Sequence, residues 1–108
     1  MTERRAYSIH QTINLGFDLS EYNFIRYEGE FEGILDMKTW GRLNGSLLCC
    51  FTLLDGKKIK TYAWQNNNYF GLDRIPFGSL VRLQFKKNTK NFFVLTDVTV
   101  IEQRNPDE

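Results

Sequence analysis

No stretch of the chain approaches 18 consecutive apolar residues, so nothing in it reads as a membrane-spanning helix. The opening Met1-Thr2-Glu3-Arg4-Arg5-Ala6 lacks the apolar core of a signal peptide, which makes the cytoplasm the expected address. Histidine occurs once, as His10, on the polar parity of its segment with no acid or nucleophile beside it, and reads as a surface residue and not a general base. The two cysteines are adjacent, Cys49-Cys50. Neighbours on a strand point to opposite faces, so this pair neither shares a zinc ion nor closes an ordinary disulfide, and both read as small core residues. There is no phosphate-binding glycine loop, no zinc-ligand spacing and no triad-like signature. The chain is therefore expected to be no enzyme by itself and to carry no cofactor and no metal. Nor does any segment hold a helical stripe longer than two turns, and no internal repeat is present.

What remains is a 108-residue chain, one domain's worth, that is 42% hydrophobic, 25% charged and 15% aromatic: globular and rich in rings. The net charge of +1 hides an uneven distribution. Residues 57–92 hold eight basic side chains (Lys57, Lys58, Lys60, Arg74, Arg82, Lys86, Lys87, Lys90) against the single Asp73, a local excess of +7. Such an excess predicts an anionic partner if the fold gathers it on one side.

Alternation with a period of two dominates. Residues 7–19 carry Tyr7, Ile9, Ile13, Leu15, Phe17 and Leu19 on one parity, a half-buried strand, and residues 20–23 read as a turn or short helical link. Tyr27, Phe31, Leu35 and Met37 then alternate with Glu28, Glu30, Glu32 and Asp36, with Gly29 and Gly33 on the apolar parity where a first barrel strand has to bend. The acids on the other parity form a solvated outer face; a hard-cation site would need convergent oxygen ligands from a loop. Residues 47–54 are apolar on both parities and so central, and Asp55-Gly56 predicts a two-residue hairpin into 57–64. A long connection, 65–78, precedes strands at 79–87 and 92–101.

Three strands, a crossover and two strands suit an all-β, five-stranded Greek-key barrel of the OB type with an additional N-terminal strand. The resemblance to the OB fold is carried by Gly29 and Gly33, by Asp55-Gly56, and by Pro76 to Phe85 followed by Phe92 to Ile101. It divides the chain into an N-terminal strand and linker (1–26), the barrel (27–102) and a polar tail (103–108). The helix commonly found between the third and fourth barrel strands is at most a turn here. The additional strand either seals the barrel edge or pairs with another chain, including a second copy.

One parity of the third barrel strand reads Lys58, Lys60, Tyr62 and Trp64, a face of mixed lysine and ring. A core face would not carry two lysines, and a merely solvated face rarely exposes two large rings. Single-stranded nucleic acid satisfies both, since phosphates pair with ammonium groups while bases stack on the rings. In an OB barrel that face is bordered by two loops, here containing Trp40 and Arg42 in one and Lys86, Lys87 and Lys90 in the other. Arg82 joins if its strand presents that side. Tyr69 and Phe70 read equally as a further stacking platform or as a plug in place of the missing helix.

The expected function is thus a non-catalytic module that binds single-stranded DNA in replication, priming or repair. Nothing reads or rejects a 2′-hydroxyl, so RNA stays open. A different class of reading makes the barrel a protein-docking subunit, with Leu48, Cys50, Leu54, Tyr62 and Trp64 as an apolar patch and a DNA polymerase or helicase as partner. The short OB-like chain with a basic third strand and lysine- and asparagine-rich turns is similar to small proteins encoded beside polymerases and helicases on bacterial mobile elements. In particular it resembles the family of the middle protein of the staphylococcal cassette replication operon, which implies binding to an A-family polymerase and a part in priming. An oligosaccharide-binding module would also use Trp40 and Trp64 but leaves the +7 segment without a role.

Overall fold

A computed structural model describes residues 19–40 and 45–104. The strand expected before Leu19, His10, Arg42 and the end of the polar tail lie outside the described residues. The described chain is all-β: β1 (Asn23–Phe24), β2 (Gly29–Trp40), β3 (Ser46–Leu53), β4 (Lys58–Trp64), β5 (Leu80–Lys87) and β6 (Phe93–Glu102), in one sheet of order β1-β4-β3-β2-β5-β6. All pairings are antiparallel except that of β1 with β4.

β2 organises the sheet because it pairs along both edges, its first half with β5 and its second half with β3. Gly33 belongs to both ladders, opposite Val81 and Leu53. A Cβ there would sit 2.9 Å from Leu53 Cδ2 and 3.0 Å from the Thr52 carbonyl oxygen, so the close approach of β3 requires glycine. The register slips between Leu35 and Met37, a β-bulge that exchanges the faces of the residues beyond it. Leu35 faces the main core, whereas Met37 packs on the opposite side with Cys50 and Tyr22. The single apolar parity expected from Tyr27 to Met37 is corrected accordingly.

The main core lies inside the curl of the sheet and comprises Leu35, Leu47, Cys49, Phe51, Ile59, Ala63, Val81, Leu83 and Phe85 with side chains from the crossover. β3 is buried along almost its whole length, as its apolar residues on both parities required. Cys49 and Cys50 are both free and buried, and they belong to clusters on opposite faces. The β3–β4 connection is one residue longer than the expected two-residue turn. Leu53 N–H donates to Lys57 O at 2.8 Å, enclosing residues 54–56 with Gly56 at φ +92°, the three-residue loop in which glycine supplies the left-handed position.

A closed barrel is not formed. Among the described residues β6 pairs only with β5, and part of the free edge of β4 is taken by β1, with Asn23 opposite Ile59 and Phe24 opposite Lys60. Ile25 N–H adds a bond to Lys60 O at 3.2 Å. The groups that a ring closure would use on this part of β4 are consumed by that short segment. No helix among the described residues is long and apolar enough to cross a membrane.

Candidate nucleic-acid interface

β4 alternates cleanly: Ile59, Thr61 and Ala63 are buried, and Lys58, Lys60, Tyr62 and Trp64 are half-buried on the outer face. Strand geometry alone explains this, since opposite parities leave opposite sides of the sheet. The four side chains predicted to share a face do share it, although they meet different neighbours. Lys58 donates to Glu21 at 2.9 Å and stands 5.5 Å from the Tyr22 ring, and the carboxylate raises its pKa. Lys60 lies 4.8 Å over the Phe24 ring, and its Nζ is 3.5 Å from Leu19 O. A 3-10 turn, Leu19–Glu21, therefore lies against the lysine half of the face. It is held there by Tyr22, which is buried on Met37 and Cys50 and donates to Asp36 Oδ2 at 2.7 Å. Burial, and then that bond, raise the Tyr22 pKa.

The aromatic half is open. Tyr62 stacks on Phe24 at 5.5 Å and contacts Trp64 at 5.9 Å. These rings line a groove of about 730 Å³ whose opposite wall is the β5–β6 hairpin, with Lys90, Asn91 and Phe92, and whose end carries Arg26. The hairpin tip is shaped by Asn88, whose side-chain oxygen accepts from the N–H groups of Lys90 and Phe92 at 2.9 Å each, and by Asn91 in the left-handed region at φ +67°. Phe92 is thereby left 64% exposed. That exposure costs free energy in the isolated molecule, which is why it is informative.

Charge sorts the same way. Of the eight basic residues in the +7 segment, Lys57 pairs with Asp55, Lys58 with Glu21, Arg74 with Asp73 and Arg82 with Glu32. Lys60, Lys86, Lys87 and Lys90, and with them Arg26, make no ion pair with any described residue. Lys86 stands directly across from Val94, a residue of the groove, and Lys87 lies 5.7 Å from the Phe93 ring. Arg82 is not part of this surface, being fixed on Glu32 through Nε and a terminal nitrogen.

Other expected residues go elsewhere. Trp40 is exposed at the end of β2 and meets Tyr69 edge-on at 5.7 Å, and it does not line this groove. Tyr69 and Phe70 pack against the core as a plug. The apolar patch of the docking reading is broken, because Cys50 is covered by Tyr22 while Leu54 is exposed at the β3–β4 turn. Three acids of the outer row have partners of their own: Glu32 accepts from Arg82, Glu28 from Lys87 N–H, and Asp36 from Tyr22 and Thr52. Among the described residues no group of acids, histidines or cysteines is placed to hold a metal ion.

Three participants escape a reading by strands: Phe24, Arg26 and Phe92. The first two fall in the 1–26 segment of N-terminal strand and linker, and Phe92, which the alternation places in the last strand, lies at the hairpin tip instead. The double aromatic Phe92-Phe93 directly after an Asn-rich turn was the available signal, since two adjacent rings cannot both face the core.

Compared with protein-family models, curated proteins and solved structures, the chain matches none.

Proposed function

We propose that this protein is a non-catalytic single-stranded-DNA-binding module of the OB type, acting in replication or priming within the machinery of a mobile genetic element. The order β4-β3-β2-β5-β6 supports the fold reading, being that of an OB barrel opened along the seam between β4 and β6. The observation that carries the function is the groove along this seam. It presents five rings, Phe24, Tyr62, Trp64, Phe92 and Phe93, with Arg26 and Lys90 at hand and no described carboxylate on either. Bases stack on such rings for roughly 1 to 3 kcal/mol each, and cations along the rim take the phosphates. Stacking tolerates any base and the rim tolerates either sugar, so single-stranded RNA is a second ligand of the same chemistry.

Polarisation of a labelled oligonucleotide of about 20 nucleotides, long enough for one OB site, tests this. Phe92→Ala and Trp64→Ala are each expected to weaken binding about 5- to 150-fold, the range of one lost stacking contact. Circular dichroism should report an unchanged fold, because neither side chain belongs to the buried core. Undiminished binding by both variants rejects the groove.

A protein-docking role, with a DNA polymerase or helicase as partner, is favoured by one separate feature. β6 has no second neighbour among the described residues, and Val100 and Ile101 on it are exposed at 40% and 41%. An edge of this kind accepts a partner strand. Copurification with a neighbouring polymerase, lost in Val100→Asp/Ile101→Asp, is the expected outcome on that reading.

A further inference from the structure

Beyond Trp64 the groove opens into a second cleft of about 760 Å³, and the two are contiguous because Trp64 and Val94 line both. Their walls differ in chemistry. The first has Arg26 and Lys90; the second has no charged side chain and is walled instead by the carboxamides of Gln65, Asn66 and Asn67 together with Phe70 and Thr96. Those three amide side chains are exposed and make no hydrogen bond to any described residue. Each offers a donor beside an acceptor, the pattern that matches the edge of an unpaired base.

The backbone holds them in place at a cost. Asn68, Tyr69 and Phe70 are three consecutive non-glycine residues in the left-handed region, with φ of 52°, 54° and 52°. Left-handed backbone is uncommon for aromatic residues, and a run of three is more so. The reversal tucks Tyr69 and Phe70 against the core and leaves the preceding carboxamides on the outside at the end of β4. Strain of this kind persists where the surroundings over-determine it, and it is concentrated at ligand sites.

We infer that this cleft is a base-reading subsite: a nucleobase of the bound single strand enters beside Trp64 and is selected by the side-chain amides of Gln65, Asn66 and Asn67, while its phosphates stay with the cationic groove. This rests on the function proposed above and departs from it in one respect, since stacking alone gives no base preference.

The test compares dA, dC and dT homopolymers of about 20 nucleotides, a length chosen to cover one OB site, with the wild type and with Asn66→Ala/Asn67→Ala and Gln65→Ala. The expected result is a wild-type preference of at least about fivefold among the three, the lower end for one well-formed amide–base pair. The amide variants should flatten that preference while keeping the affinity for the weakest homopolymer and an unchanged urea midpoint. Equal wild-type binding to all three overturns the inference and leaves the DNA-binding function standing, as does a preference that survives both variants. No wild-type binding at all overturns both.

Discussion

Lys38 brings its ammonium group to the inside of the sheet, where the side chain is 1% exposed. Its three N–H groups meet three carbonyls of the crossover, Leu72 at 3.0 Å, Asp73 at 3.1 Å and Ile75 at 2.6 Å, with the Phe77 ring 5.5 Å away. A lysine has three donors and no acceptor, so these three carbonyls match its donor capacity and tie down the part of the crossover that follows the 3-10 segment Gln65–Gly71. Lys38→Met removes the donors and strands the carbonyls. It should lower the unfolding free energy by about 2 to 4 kcal/mol in urea titrations, and an unchanged midpoint would contradict the role. Nothing in the sequence disclosed this, because on the original parity Lys38 falls with the acids of the outer face. The cysteines, in contrast, were legible from adjacency alone. Burial pushes the Cys50 thiol from 9.0 up to about 12 and raises Cys49 as well. The unfolded chain releases those protons near pH 9 while the native one keeps them, so stability falls as pH rises from about 9 to 12. Cys50→Ala should make that fall shallower in alkaline unfolding curves, and an equal slope would show that the thiol is not the source.

Among the elements, β4 and β5 could be read from alternation because each keeps one parity from end to end, whereas the β3–β4 turn is one residue longer than its Asp-Gly signal predicts and β6 slips register twice against β5. β2 could not be read past Asp36, since a bulge adds a residue without leaving a mark in the hydrophobic pattern. The short segment before β1 was legible as a turn or short helical link, in agreement with the 3-10 turn Leu19–Glu21, but its placement was not. Two or three residues are too few to show a period, and their position over Met37, Cys50 and the β4 lysines is set by tertiary packing. That segment bears on the proposed interface: the Glu21 carboxylate sits on Lys58, which on the proposed function would otherwise be available to a phosphate. Glu21→Gln removes the competing charge. It should raise the affinity for an oligonucleotide by up to about fivefold at low salt, the scale of one exposed ion pair. A loss of affinity in this variant would mean that the turn contributes to the site and does not compete with it.

At the scale of the whole molecule, the excess of +7 in residues 57–92 becomes a surface only after the fold has paired off half of its basic residues. Lys57, Lys58, Arg74 and Arg82 are matched by Asp55, Glu21, Asp73 and Glu32. The remainder, Lys60, Lys86, Lys87 and Lys90, includes residues beside the groove formed where β4 and β6 fail to close. The sequence disclosed the sign and the segment of this charge. Lys57 and Arg74 are matched by acids beside them in sequence, Asp55 and Asp73, but Lys58 and Arg82 are matched by distant partners, Glu21 and Glu32, that no local pattern contains, and Trp40 leaves the predicted surface for another distant neighbour, Tyr69.

If this seam binds the phosphates and bases of a single strand together, its affinity for that strand depends steeply on salt. With about four phosphates neutralised, each contributing a slope of roughly −0.7, affinity for a single-stranded oligonucleotide should fall about 50-fold between 50 and 200 mM salt. Binding that is absent at 50 mM, or that does not change across that range, would contradict it.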